Sequence, residues 1–178
     1  MPILADLADA GGSRFVPLAN RLGLSRDALR QTLDALIESG LVMRNPGYGH
    51  PSRPEYVLTA SGRRIAPICA KVLESSRRHD IEDVVLKKWS MPVLAALDKE
   101  ARYGELRGAV GATPRALTLA LKELVAEGLV ERLVHTGFPP STTYRLTPKG
   151  RGLRRQVARL AAGLHELSGG GRIRTSVG

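Results

Sequence analysis

The side chains of this chain that could do covalent or metal chemistry are few and scattered. Its four histidines, His50, His79, His135 and His165, lack metal-ligand spacing. The single cysteine, Cys69, belongs to no Cys-His arrangement, no Ser-His-Asp set is visible, and none of the 19 glycines forms a phosphate-cradling motif before a helix. Catalysis, a cofactor and a bound metal are therefore not expected. What the chain does carry is polar and cationic groups grouped at helical spacing: Ser25, Arg26, Arg30 and Gln31 in one segment, and Thr113, Arg115, Thr118, Leu119 and Lys122 in another. Arg pairs bidentately with guanine and Gln with adenine, an apolar side chain can meet a thymine methyl, and Lys anchors phosphate. The chemistry on offer is recognition.

The bulk charge agrees. Lys plus Arg number 27 against 17 Asp plus Glu, a net charge of +10, which suits a polyanionic partner. The excess is +4 over residues 1 to 78 and +6 over 79 to 178, so it is no mere tail. No apolar run approaches the ~20 residues of a membrane span. The N-terminus lacks the basic-then-apolar pattern of a secretory signal, and one cysteine fits a reducing compartment. The expected location is the cytoplasm, on the nucleoid.

Two stretches, "MPILADL" at Met1 and "MPVLAAL" at Met91, begin a longer echo. A slide of 88 positions aligns residues 14 to 63 with 102 to 151 without a gap. It brings Leu18 onto Leu106, Gly23 onto Gly111, Leu29 onto Leu117, Leu33 onto Leu121, "GLVMR" onto "GLVER" and "LTASGR" onto "LTPKGR". The opening echoes lie 90 apart, so the first copy has two extra residues, placed within "DAGGSR". A duplicated unit of this size sets the whole reading.

Each copy reads as helix, helix, helix, strand, loop, strand, helix. In the second copy Gly111 stops the second helix, and Thr113 caps a third with Pro114 in its first turn. Leu117, Leu121, Leu124 and Val125 form the buried stripe of that helix. "LVERLVHT" and "TTYRLT" are strands around the loop "GFPPS", and a long helix follows Thr147 and Pro148. In the first copy Ser25 caps the third helix, with Leu29, Leu33, Leu36 and Ile37 inward, and the last helix starts near Ser61. The fold expected is mainly α with small β wings: two tandem winged helix-turn-helix domains. They are placed at 1–76 and 77–168, with "SSRRHD" (75–80) as the break, an extra helix over 81–89, and a disordered basic tail at 169–178.

A helix-turn-helix lays its second helix in a DNA major groove, and basic side chains beside it hold phosphate. The reading sets are therefore Ser25, Arg26, Arg30 and Gln31 in the first copy, and Thr113, Arg115, Thr118, Leu119 and Lys122 in the second. Arg44, His50, Ser52 and Arg53 of the first wing, with Arg132, His135, Ser141, Thr142 and Arg145 of the second, are placed for phosphate or minor-groove contact, with Arg44 and Arg132 open to the alternative that they only flank strands. Unequal sets imply an imperfectly repeated site. Cys69, in the apolar "IAPICAKVL", reads as a small buried hydrophobe. Arg151, Arg154, Arg155 and Arg159 share one side of the last helix, either as a solvated face or toward phosphate. Trp89 reads as a packing residue.

The segments "KKW" (87–89), "RYGELRGAV" (102–110), "TPRALTLALKELVAEGLVERLV" (113–134) and "PPSTTYRLTPKGRGL" (139–153) resemble the HxlR-type winged-helix transcriptional regulators, relatives of the MarR group. The first copy resembles them more loosely, through "GLSRDALRQTLDALIESGLVMR" and "RPEYVLTASGR". The resemblance implies a bacterial DNA-binding regulator that dimerises through terminal helices and reads DNA with the third helix. On this chain it marks Thr113, Arg115, Thr118 and Lys122, with Arg132 and Arg145 around the wing. Two departures stand out. Where redox-sensing members place a cysteine ahead of the first helix this chain has "DVVLKK", and it carries two winged helices where members usually carry one.

The function expected is a sequence-specific double-stranded DNA-binding transcriptional regulator, acting as a repressor. It is either a built-in pseudo-dimer or half of a homodimer formed through helix 81–89 and the C-terminal helix. Two rivals remain: a tandem winged-helix protein scaffold of a chromosome-organising complex, and a plasmid-type replication initiator.

Overall fold

The computed structural model describes residues 1–45 and 55–169. Among them the chain forms two compact units. One comprises Met1–Leu73 with the end of the chain from Ala162, the other Glu74–Ala161. Each is a winged helix-turn-helix, as the sequence pattern predicts.

The first copy runs α1 (Pro2–Ala10), β1 (Ser13–Arg14), α2 (Phe15–Leu22), α3 (Arg26–Glu38), β2 (Val42–Asn45), β3 (Glu55–Leu58) and α4 (Ala60–Arg78). After α5 (Glu82–Val85), the second runs α6 (Ser90–Ala96), β4 (Ala101–Arg102), α7 (Tyr103–Val110), α8 (Pro114–Ala126), β5 (Val130–His135), β6 (Ser141–Leu146) and α9 (Pro148–Gly169). Each copy holds a three-stranded antiparallel sheet, β1-β3-β2 and β4-β6-β5. The two-residue strands β1 and β4 are too short to show any alternation in sequence. Only their partners define them, Ser13 opposite Tyr56 and Ala101 opposite Tyr144.

Leu, Ile and Val at repeated positions build the cores. Ile3, Leu4 and Leu7 of α1 are buried like Val93, Leu94 and Leu97 at the start of the second copy. Leu18, Leu29, Leu33, Leu41, Val42, Leu58 and Ile65 are buried like Leu106, Leu117, Leu121, Leu129, Val130, Leu146 and Leu153. Cys69 is buried where the second copy has Val157, and burial pushes its thiol pKa up. The stripe on the third helices is narrower than the periodicity predicts. Leu36 and Ile37 are only half-buried, Val125 is exposed, and Ala120 is buried in addition to the expected leucines.

Helix ends follow from local chemistry. Gly23 and Gly111 sit at φ 62° and 68°, where a Cβ is disfavoured, and so turn the chain between α2 and α3 and between α7 and α8. The Ser25 hydroxyl accepts from the Ala28 N–H at 3.2 Å, and the Thr113 hydroxyl from that of Ala116 at 3.3 Å. Pro67 lies inside α4.

Two sequence expectations change here. The polar stretch 75–80 is no break over most of its length, because α4 continues to Arg78 and the turn comes at His79 and Asp80, the latter at φ 53°. The helix expected over 81–89 is a single turn, Glu82–Val85. Ile81 and Val85 are buried while Leu86, Lys87 and Lys88 are exposed, so packing supports only that turn. Arg53, His50 and Ser52, and the tail from residue 170, lie outside the described residues.

One repeated knot closes each unit. The Thr59 hydroxyl donates to the Gly40 carbonyl at 2.6 Å and accepts from the Gly62 N–H at 3.0 Å, while Thr59 N–H donates to Leu41 at 3.1 Å. In the second copy Thr147 donates to Gly128 at 2.7 Å, accepts from Gly150 at 3.1 Å, and its N–H reaches Leu129 at 3.1 Å. A Cβ built on Gly62 or Gly150 would lie 2.0 Å from the carbonyl oxygen of Leu41 or Leu129. No helix of the described residues is long and apolar enough to cross a membrane.

Gly150→Ala is expected to cost about 2–3 kcal/mol or more, because the clash is with backbone and cannot relax by a rotamer change. Thr147→Ala is expected to cost about 1 kcal/mol through the lost cap. Urea unfolding at equilibrium checks both, and a Gly150→Ala midpoint equal to wild type contradicts the packing described.

Candidate nucleic-acid interface

The third helices, α3 and α8, present the surfaces that the sequence singles out. Ser25, Arg26, Arg30 and Gln31 are exposed on α3, as are Thr113, Arg115, Thr118, Leu119 and Lys122 on α8. The Ser25 and Thr113 hydroxyls, however, are engaged as helix caps. Leu119 is 55% exposed, an apolar side chain standing off a helix whose other large leucines are inside.

Each third helix borders a groove whose far wall is the wing. In the first copy it is a cavity of about 260 Å³ lined by Phe15, Arg30, Leu33, Asp34, Arg44 and Tyr56. In the second it is about 420 Å³, and six of its lining positions, Tyr103, Thr118, Leu121, Lys122, Arg132 and Tyr144, lie 88 residues on from those six. The grooves are thus the same place in the fold with different chemistry. Sequence reasoning missed Phe15, Tyr56, Tyr103 and Tyr144 as groove walls and Asp34 as a groove residue. The 88-residue slide holds the signal, since it sets Asp34 against Lys122.

The ions in the two grooves are arranged differently. Arg44 pairs with Asp34 at 3.5 Å and lies 5.9 Å from the centre of the Tyr56 ring. Arg132 and Lys122 make no ion pair among the described residues, nor do Arg26, Arg30 and Arg115. Arg145 is paired across the hairpin with Glu131 at 2.6 Å. That contact raises the Arg145 pKa and lowers that of Glu131. Arg154 of α9 reaches Asp98 at 2.7 Å with only 26% of its side chain exposed, which leaves it poorly placed for phosphate.

The second wing is the fully described one. β5 and β6 pair from Val130 opposite Leu146 to His135 opposite Ser141. His135 Nε2 lies 2.7 Å from Thr143 Oγ1 and 3.1 Å from Glu100, and Thr143 donates to Glu100. The Thr143 hydrogen bond is the main cause that lowers the Glu100 pKa. Ser141 and Thr142 are half-buried, and Phe138 at the tip is wholly exposed. Among the described residues no His, Cys, Asp and Glu groups converge in a way that could hold a metal ion.

The profile of the HxlR-like helix-turn-helix proteins matches residues 1–80 and again 84–167. The chain belongs to the HxlR-like family. Its two matches coincide with the two copies, so the family's unit occurs twice. Among curated relatives, the uncharacterized HTH-type transcriptional regulator sll1512 of Synechocystis sp. is 37% identical over 89 residues, 49% of this chain and 63% of that regulator. The uncharacterized HTH-type transcriptional regulator YybR of Bacillus subtilis is 40% identical over 73 residues, 40% of this chain and 58% of YybR. The chain thus spans less than two thirds of the length of either. Among solved structures, the redox regulator HypR in its reduced form is 33% identical over 51% of this chain and 92% of its own, with a TM-score of 0.45.

Tyr103 ties the turn of this HxlR-like unit together: its hydroxyl donates to the Pro114 carbonyl at 2.9 Å and lies 3.3 Å from Thr118 Oγ1. The first copy has Phe15 there and lacks the bond. Tyr103→Phe is expected to cost about 1 kcal/mol, seen as a lower urea midpoint with an unchanged slope. No change shows that the hydroxyl bonds equally well to water.

Proposed function

We propose that this HxlR-like protein is a sequence-specific double-stranded DNA-binding transcriptional regulator, acting as a repressor by occlusion, and that the third helix of each copy reads bases. One observation carries the reading. In both copies a side-chain-capped helix leaves a glycine turn with exposed Arg, Gln, Thr or Lys on one face, and a groove separates that face from a β-hairpin. That pairing suits a duplex: a helix slim enough for the major groove and a flanking ribbon placed for the backbone. The net charge of +10 supplies the attraction.

The roles follow from the chemistry of each side chain. Arg30 and Gln31 are suited to guanine and adenine edges, Arg115 and Thr118 to base edges or nearby phosphate, and Leu119 to a thymine methyl. Arg26, Lys122 and Arg132 are suited to phosphate. Arg145 belongs to the second wing and brings its charge already shared with Glu131, and Arg53, by its sequence position alone, is assigned to phosphate in the first copy. Ser25 and Thr113 contribute as caps that fix the start of α3 and α8, their hydroxyls accepting from the Ala28 and Ala116 N–H groups.

Selection from fragmented genomic DNA with the purified protein, at moderate and high salt, is the direct test. An imperfect two-part site with centres about 10 base pairs apart, or a multiple of it, is expected. Arg30→Ala is expected to relax preference at one position of the first part and Arg115→Ala at one position of the second, each costing about 1–3 kcal/mol on the selected site. Binding that enriches no sequence and vanishes with salt overturns the reading. Occlusion is checked by transcription in vitro from a promoter that contains the selected site, where activation contradicts it.

A further inference from the structure

The two grooves share their walls but not their charge, and this bears on how the copies divide the work. At one position of the repeat the first copy has Asp34 and the second has Lys122. At another both have arginine, Arg44 and Arg132. Asp34 and Arg44 are paired at 3.5 Å, each with 57% of its side chain exposed. Among the described residues Lys122 and Arg132 have no acidic partner.

We infer, building on the DNA-binding reading above, that Asp34 is a specificity-determining residue. It cancels Arg44 at the duplex backbone, so that the first copy, left with Arg26 at phosphate, leans more on base contacts, while Lys122 and Arg132 make the second copy the stronger anchor. The physical step is counterion release. A cation that neutralises a phosphate frees a condensed ion, and affinity falls with salt accordingly. A phosphate that approaches Arg44 meets a nearly neutral pair, and Asp34 itself is repelled by the duplex. The net cation left in the first groove is Arg30, which the helix holds toward base edges. A wrong base there is therefore offset less by backbone attraction than in the second copy. In the second groove Lys122 and Arg132 attract any sequence.

Neither Asp34 nor Lys122 holds up the fold. An exposed ion pair at 3.5 Å contributes little to stability, because water solvates both ions nearly as well apart. The pair is thus open to substitution without loss of structure.

The test is a salt titration of binding to the selected two-part site and to versions with either part scrambled. Asp34→Asn keeps the shape and frees Arg44. It is expected to tighten binding at about 0.1 M salt some three- to tenfold, to steepen the log–log salt dependence by about one unit, and to shrink the penalty for scrambling the first part. Asp34→Glu is expected to restore wild-type slope and discrimination. Arg44→Ala in the Asp34→Asn background is expected to cancel the gain, and Lys122→Asp to weaken binding tenfold or more with a slope shallower by one to two units. Wild-type protein that binds DNA while Asp34→Asn leaves slope and discrimination unchanged, or weakens binding, overturns this inference alone. Wild-type protein that binds no DNA overturns it together with the reading on which it rests.

Discussion

Each unit depends on one close approach. The first turn of its last helix lies against the carbonyl that follows the third helix, and at Gly62 and Gly150 no Cβ fits in that space. The threonine three residues earlier makes the approach attractive: its hydroxyl donates to Gly40 or Gly128 and accepts from the glycine N–H. The arginine after the glycine adds a bond back to the strand, Arg63 to Leu58 and Arg151 to Leu146, each at 2.8 Å. Four elements meet there: the end of the third helix, both wing strands and the last helix. The angle between the third helix and the wing is therefore set by buried backbone contacts rather than by the residues exposed on either.

That separation explains how a duplication can keep its frame and change its surface. Buried positions of the two copies carry the same or similar residues, such as Leu29 with Leu117 and Leu33 with Leu121, because close packing penalises changes of volume. Positions on the exposed face carry Arg30 against Thr118, Gln31 against Leu119 and Asp34 against Lys122. No packing term opposes such changes. One scaffold thus presents two different sets of hydrogen-bonding groups.

Net charge by itself says little about where a polyanion would bind. Several cations are already paired: Arg21 with Asp6, Arg77 with Glu82, Arg78 with Glu74, Lys87 with Glu123 and Arg145 with Glu131. The unpaired ones among the described residues include Arg30 on α3, Arg115 and Lys122 on α8, and Arg132 beside it. Others, such as Arg14, Lys71 and Arg155, lie outside the third helices and are exposed as well, so it is the helix and groove geometry, and not unpaired charge alone, that singles out α3 and α8.

The sequence alone determined the architecture and its period. Repeated leucines at helical spacing, glycines at the turns and Ser25 and Thr113 as caps are local signals, and local backbone chemistry is enough to interpret them. Their 88-residue echo supplied the domain count. The sequence also marked the exposed faces of α3 and α8, since a helix with a buried stripe must turn its other residues outward. Only tertiary structure decided what depends on partners distant in the chain. Two-residue strands exist because Ser13 and Ala101 find β3 and β6, and the segment 81–89 shrinks to one helical turn because only Ile81 and Val85 find a core. Arg44, Arg145 and Arg154 look alike in sequence to Arg132, which has no ion pair among the described residues. Whether a cation is available depends on which carboxylate the fold brings to within a few ångströms, and that is a property of folding in three dimensions rather than of spacing along the chain.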